Sequence, residues 1–168
     1  MSQFKYFEEK LFIENVSVKN IVKKNKTPFY LYSEEQIKKN YLDFEKIFKK
    51  VNPLICFAAK ANTNLTVMKI LGKLGSGADV VSGGELLKAL KAGIKPNKIV
   101  FSGVGKTEEE LKLAIKKKIL LINVESESEA ILINELGEKN NKIISIGFRL
   151  NPNVDAKTHK KISTGKAE

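Results

Sequence analysis

The sequence is poor in several residue types that usually carry chemistry. Its 168 residues include one histidine, His159, and one cysteine, Cys56. Neither HExxH nor CxxC occurs, so a zinc site or a dithiol redox site has no spacing to rest on. A lone cysteine cannot close an internal disulfide. Cys56 stands in an apolar run and reads as a small core residue rather than a nucleophile. His159 lies in a polar stretch with no evident catalytic partner. Arginine is nearly absent as well: Arg149 is the only one, and the net charge of +11 is carried by lysines spread over expected helix surfaces. Base readout and bidentate phosphate contacts favour arginine. The charge therefore reads as a solvated lysine face, and no nucleic-acid partner is expected. No apolar run approaches the ~20 residues of a membrane span, and residues 1–10 lack the apolar core of a secretory signal. A cytoplasmic protein without a membrane partner is expected.

What is present centres on one stretch, Leu54-Ile55-Cys56-Phe57-Ala58-Ala59-Lys60-Ala61-Asn62. An uncharged run that ends in a single lysine predicts a strand buried on both faces, as in a parallel sheet. Lys60 would sit at its C-terminal end, where α/β folds place their ligands. Two readings stand side by side. Half desolvated, its amine would lose its proton more easily, which a Schiff-base lysine requires. Alternatively, it snorkels to solvent like most lysines.

Further apolar runs begin near Ala78, Lys98, Ile119 and Ile143, some 20 to 24 residues apart. That spacing leaves room for a helical crossover each time and predicts βα units in a parallel sheet. Four helix starts carry a capping-box pattern: Ser33 with Gln36, Ser82 with Glu85, Thr107 with Glu110, and Ser126 with Glu129. The first helix has Ile37, Tyr41, Phe44 and Phe48 on one face. Gly93 before Pro96, and Gly137, are candidate helix stops. Residues 10–18 suggest a strand or hairpin, and Ile21-Val22 a helical turn.

Polar residues follow each run: Lys60 and Asn62, then Ser82, Ser102, Asn123 with Glu125, and Arg149 with Asn151. A barrel gathers all its strand C-termini at one mouth. An open dinucleotide-binding sheet would show a glycine-rich turn after its first strand, and Lys60-Ala61-Asn62-Thr63-Asn64 is not one. The loop Ser102-Gly103-Val104-Gly105-Lys106-Thr107 looks like a phosphate loop. The pattern needs a glycine at the position of Val100, so the match fails and a tight turn before a helix remains. Asp79, in Gly77-Ala78-Asp79-Val80-Val81-Ser82, is open between two roles: partner of Lys60 on the next strand, or a loop cap at the strand's start.

Taken together, these blocks resemble a family. Phe57-Ala58-Ala59-Lys60-Ala61-Asn62 is similar to the YAxKAN motif of the pyridoxal-phosphate (PLP) decarboxylases built on the alanine-racemase-like barrel. The segments 77–86, 101–107 and 123–126 resemble that family's next blocks in order. Arg149-Leu150-Asn151-Pro152-Asn153-Val154-Asp155-Ala156-Lys157-Thr158-His159, followed by Ile162-Ser163-Thr164-Gly165, resembles the diaminopimelate decarboxylase subfamily. Ornithine and arginine decarboxylases of the same fold diverge at the Val80-Val81-Ser82-Gly83-Gly84-Glu85-Leu86 block and lack the last one.

The resemblance implies an α/β fold: a partial PLP-binding (β/α)8 barrel with about five of the eight βα units. It implies PLP held by Lys60, Asp79 beside that lysine helping to orient it, and Arg149 near the cofactor ring. It assigns His159 to a subfamily block without a role. The implied reaction converts meso-2,6-diaminopimelate to L-lysine and CO2 in a homodimer. Residues 1–30 would pack on a C-terminal β-domain, and residues 31–168 would form the N-terminal part of the barrel. Since a barrel takes ~250 residues, the chain is expected to be an N-terminal portion, inactive alone. Its edge strands near Leu54 and Ile143 would be unpaired. The alternatives are another basic amino-acid decarboxylase of this fold, a non-enzymatic PLP-binding module, or a half completed by a separate chain.

Overall fold

Short apolar runs can lie parallel only if each intervening segment carries the chain back across the sheet. The structure is a computed structural model that describes residues 3–151. The chain opens with a small antiparallel sheet, β1 (Phe4–Phe7), β2 (Lys10–Ile13) and β3 (Val16–Ser17). The helices α1 (Val18–Lys24) and α2 (Glu34–Phe48) follow. The expected strand or hairpin at residues 10–18 is thus part of a three-stranded meander, and the turn at Ile21-Val22 belongs to a seven-residue helix.

The second sheet contains β4 (Cys56–Ala58), β5 (Gly77–Val80), β6 (Ile99–Phe101), β7 (Leu121–Val124) and β8 (Ile146–Phe148), paired in parallel in that order. Helices α3 (Leu65–Lys73), α4 (Gly83–Lys91), α5 (Glu108–Lys117) and α6 (Glu127–Lys139) make the crossovers. Every strand lies beside its neighbour in sequence. A doubly wound sheet would reverse direction once; an order that never reverses is an arc of a βα barrel. Among the described residues, β4 and β8 are the edges, as expected. No helix among them is long and apolar enough to cross a membrane.

Alternation sorts the strand residues onto two faces. Ala78, Val80, Ile99, Phe101, Ile122 and Val124 are at most 2% exposed and form the core beneath α3 to α6. The residues between them, Asp79, Val100, Leu121 and Asn123, are half-buried on the opposite face. A one-residue slip would exchange the faces and drive Asp79 and Asn123 into the core, at roughly 1–3 kcal/mol for each unpartnered group.

All four expected caps form. Ser33, Ser82, Thr107 and Ser126 accept from the backbone N–H of Gln36, Glu85, Glu110 and Glu129 at 2.9 to 3.3 Å. The reciprocal half is more varied. Only at Thr107 does the glutamate return to the cap's own N–H, at 3.0 Å from Glu110 Oε2. Glu85 and Glu129 reach one residue further back, to the N–H of Val81 (2.9 Å) and Glu125 (2.8 Å). Those N–H groups lie just beyond β5 and β7. Gln36 turns instead to the Gln3 N–H and the Asn40 side chain. Glu110 also accepts from the Gly83 N–H at 2.7 Å, which ties α5 to the start of α4. That bond is the chief reason its carboxyl is held below the ordinary value of 4.5, with the Thr107 N–H second.

The glycine-containing loop after β6 is a tight turn, with Gly103 and Gly105 both at positive φ. It folds Lys106 inward. The Lys106 side chain is 1% exposed. Its amine donates to Gly103 O (2.7 Å), Asn123 O (2.7 Å) and Glu129 Oε1 (2.9 Å), which uses all three ammonium protons. Loop, β7 and α6 are thereby joined at one buried point.

Three expectations change. Gly93 does stop α4, but Gly137 lies inside α6. A Cβ there would come within 2.9 Å of Lys142 O, so the glycine serves the close return of the chain, and the left-handed residue comes later, at Asn141. The apolar face of α2 buries only Tyr41, which packs with Val67 and Leu71 of α3 and with Ile55 and Phe57, while Phe44 and Phe48 pair in the open. Finally, β4 is half-buried rather than buried on both faces, since it has a strand on one side only.

Removing one partner of a buried ion pair is far costlier than breaking an exposed one. Lys106→Met is expected to lower the unfolding free energy in urea by roughly 3 kcal/mol. Lys112→Met, whose partner Glu108 lies on the α5 surface, should leave it unchanged. Equal effects would refute the distinction. The lowered Glu110 carboxyl contributes stability that is complete above its ordinary value of 4.5 and is lost as pH falls through the folded value. Glu110→Gln should therefore be less stable than wild type at neutral pH, with the difference narrowing below pH 4.5 in acid unfolding curves.

Candidate active site

The sheet face turned away from the helices carries a row of polar side chains at the C-terminal strand ends. In the ladder, Ala58 of β4 is opposite Asp79 of β5. Asp79 is the third residue of its strand, not a cap at its start. Its Oδ1 accepts from the Ser102 hydroxyl at 2.5 Å, and Ser102 Oγ accepts from Asn123 Nδ2 at 3.0 Å. The row thus crosses β5, the end of β6 and β7. Asn123 leans over Gly147 of β8, where any Cβ would meet its Oδ1 at 2.6 Å, so the bare backbone makes room for the amide.

Lys60 follows β4 on a one-turn 3-10 helix, Ala59–Ala61, that packs against β5. Ala59 is fully buried and anchors the turn. Lys60 itself is exposed, and among the described residues it makes no hydrogen bond or ion pair. The half-desolvated lysine expected from the strand is not what the structure holds: β4 is an edge, and nothing described covers the amine. Nor does Asp79 pair with Lys60; its bonded partner is Ser102.

Arg149, just beyond β8, directs Nη1 to both oxygens of Glu125, at 3.2 Å each. The arginine is half exposed, while the Glu125 side chain is only 15% exposed, so the carboxylate holds the guanidinium from beneath. Cys56 lies opposite Gly77 at the lower end of the same face. Burial first, and then the nearby Asp79 charge, push its thiol above the ordinary value of 9.0. It stays a thiol at neutral pH and is no nucleophile. His159 and the subfamily block after residue 151 lie outside the described residues.

Two lysines stand near the strand ends, and their chemistry is opposite. An aldehyde cofactor needs a primary amine free to react. Lys106 has none to offer, because its protons are committed and its side chain is enclosed. Lys60 is accessible and unengaged, with a carboxylate on the adjacent strand. The residues present therefore fit attachment of such a cofactor at Lys60.

Sequence reading identified Asp79 and Arg149 but not their partners Ser102, Asn123 and Glu125, and it missed Lys106. In the sequence the first three stand only as polar residues that follow apolar runs. Strand parity combined with sequential parallel order would have put Asp79, Ser102 and Asn123 on one face. The enclosure of Lys106 had no linear signal.

Residues 34–168 match the family model described as "Pyridoxal-dependent decarboxylase, pyridoxal binding domain". A diaminopimelate decarboxylase of Aquifex aeolicus is 49% identical over 160 residues, covering 95% of this chain and 38% of the relative. One of Helicobacter pylori is 52% identical over 143 residues, covering 85% and 35%. The crystal structure of the M. jannaschii diaminopimelate decarboxylase in complex with L-lysine superposes with a TM-score of 0.88 at 43% identity, over 97% of this chain and 39% of that one. The chain thus spans well under half the length of these relatives. With its uninterrupted parallel arc and a free lysine at the strand ends, it belongs to the pyridoxal-dependent decarboxylases and carries part of their PLP-binding barrel.

Proposed function

We propose that this chain is the barrel portion of a diaminopimelate decarboxylase, which releases CO2 from meso-2,6-diaminopimelate to leave L-lysine. The observation that carries the reading is the unengaged Lys60 amine, on a turn that packs against the strand of Asp79, in a chain about half identical to diaminopimelate decarboxylases. In this reading Lys60 is the covalent anchor for the PLP aldehyde. Asp79 supplies a negative charge close to that anchor and keeps the amine oriented. Arg149, held by Glu125, presents a cation at the far end of the polar row, near the cofactor ring. Bound PLP supplies an electron sink for the pair left behind when a carboxylate departs as CO2.

The remaining parts of the reading concern the assembly. Residues 31–168 serve as the barrel part, and residues 1–30 serve as a segment that packs on a C-terminal β-domain. Exposed Tyr6 and Phe7 on β1 and Val16 on β3 are in keeping with a covering partner for that segment. The working form is a homodimer, and the setting is the cytoplasm.

The test is PLP addition, borohydride reduction and peptide mapping. Reduced PLP is expected on Lys60, with none on Lys106, and Lys60→Arg should abolish the specific label. Label scattered over surface lysines, with Lys60 receiving no more than the others, would sink the reading.

A further inference from the structure

We infer that Ser102 and Asn123 are positioning residues that act on Lys60 through Asp79. This rests on the reading of Lys60 as the PLP-bearing lysine. A hydroxyl has one proton to give. Asn123 Nδ2 donates into Ser102 Oγ at 3.0 Å, so the Ser102 proton is committed to Asp79 Oδ1 at 2.5 Å. The chain of bonds has one direction, and it ends on the carboxylate. Asp79 Oδ2 accepts nothing among the described residues. It is left as an acceptor on the strand that packs against the turn bearing Lys60.

The far end of the chain is fixed just as firmly. Asn123 O accepts from the buried Lys106 amine at 2.7 Å, and the Asn123 amide lies over the backbone of Gly147. Ser102 N donates to Val80 O at 2.8 Å, which fixes the height of the hydroxyl relative to β5. Fold stability does not require such a series. These side chains are only half-buried, so each could be satisfied by water instead. Two side chains in series, Asn123 of β7 and Ser102 just after β6, hold a single oxygen of the Asp79 carboxylate, and this leaves its other oxygen in a set place.

The test uses the whole chain and two readouts. The first is the apparent affinity of PLP for Lys60, followed by reduction and mapping. A hydrogen bond to a charged group is worth on the order of tenfold or more. Ser102→Ala and Asp79→Asn are each expected to weaken the Lys60 adduct by about tenfold. The double variant should lose no more than Asp79→Asn alone, because Ser102 acts through Asp79. Ser102→Thr, which keeps the hydroxyl, should restore most of the affinity. The second readout needs no cofactor: hydrogen exchange of the Asn123 side-chain amide, protected in wild type and Ser102→Thr and freed in Ser102→Ala.

An adduct as strong in Ser102→Ala as in wild type overturns the inference, and so does a double variant whose losses multiply. A wild-type chain that takes no PLP at Lys60 overturns the cofactor reading and the positioning role with it. Amide protection lost in Ser102→Ala would in that case mark the three side chains as structural only.

Discussion

The alternation of side chains along a buried parallel strand governs this structure. Ala78, Val80, Ile99, Phe101, Ile122 and Val124 are almost fully enclosed beneath the helices. Burying each larger side chain is worth roughly 1.5–3 kcal/mol. That apolar face sets the register, and the register then dictates what the opposite face must hold. Asp79, Ser102 and Asn123 lie together because their neighbours in sequence are committed to the core. The chemistry of one face is a consequence of the packing of the other.

The strand ends are rigid for a second reason. After β5 and β7 the next helix follows within two residues, and its cap closes the joint. Glu85 and Glu129 return to N–H groups at the strand ends, Glu110 bridges to the neighbouring unit, and Lys106 locks the loop after β6 to β7 and α6. Polar groups that would otherwise be free at the mouth are spent on structure. Among the described residues, Lys60 is different. Its turn is anchored by buried Ala59, yet its amine is left without a partner. An accessible amine on a fixed support contrasts with the enclosed and fully engaged amine of Lys106.

Much of this was legible in the linear chain. The spacing of the apolar runs anticipated the parallel strands, and the hydroxyl–glutamate pairs anticipated the four caps. Both signals are local, because strand length, crossover length and capping depend on residues within one turn or one unit. Gly137 was misread because a glycine that admits a returning chain looks the same in sequence as one that ends a helix. The partial exposure of Phe44, Phe48 and β4 depends on what lies beside them, which composition does not record.

By itself, the sequence determined the class of fold, the family motifs around Lys60 and the residue types able to do the chemistry. Hydrophobic period, caps and motifs are written in neighbouring positions. Only the tertiary structure decided which polar groups meet. Asp79 bonds Ser102 rather than Lys60, Arg149 is held by Glu125, and Lys106 is enclosed while Lys60 is open. Each of these contacts joins residues more than twenty positions apart or turns on burial by distant elements. The order of strands in the sheet and the cover supplied by distant elements bring such residues together or enclose them, and no local preference of the chain encodes either.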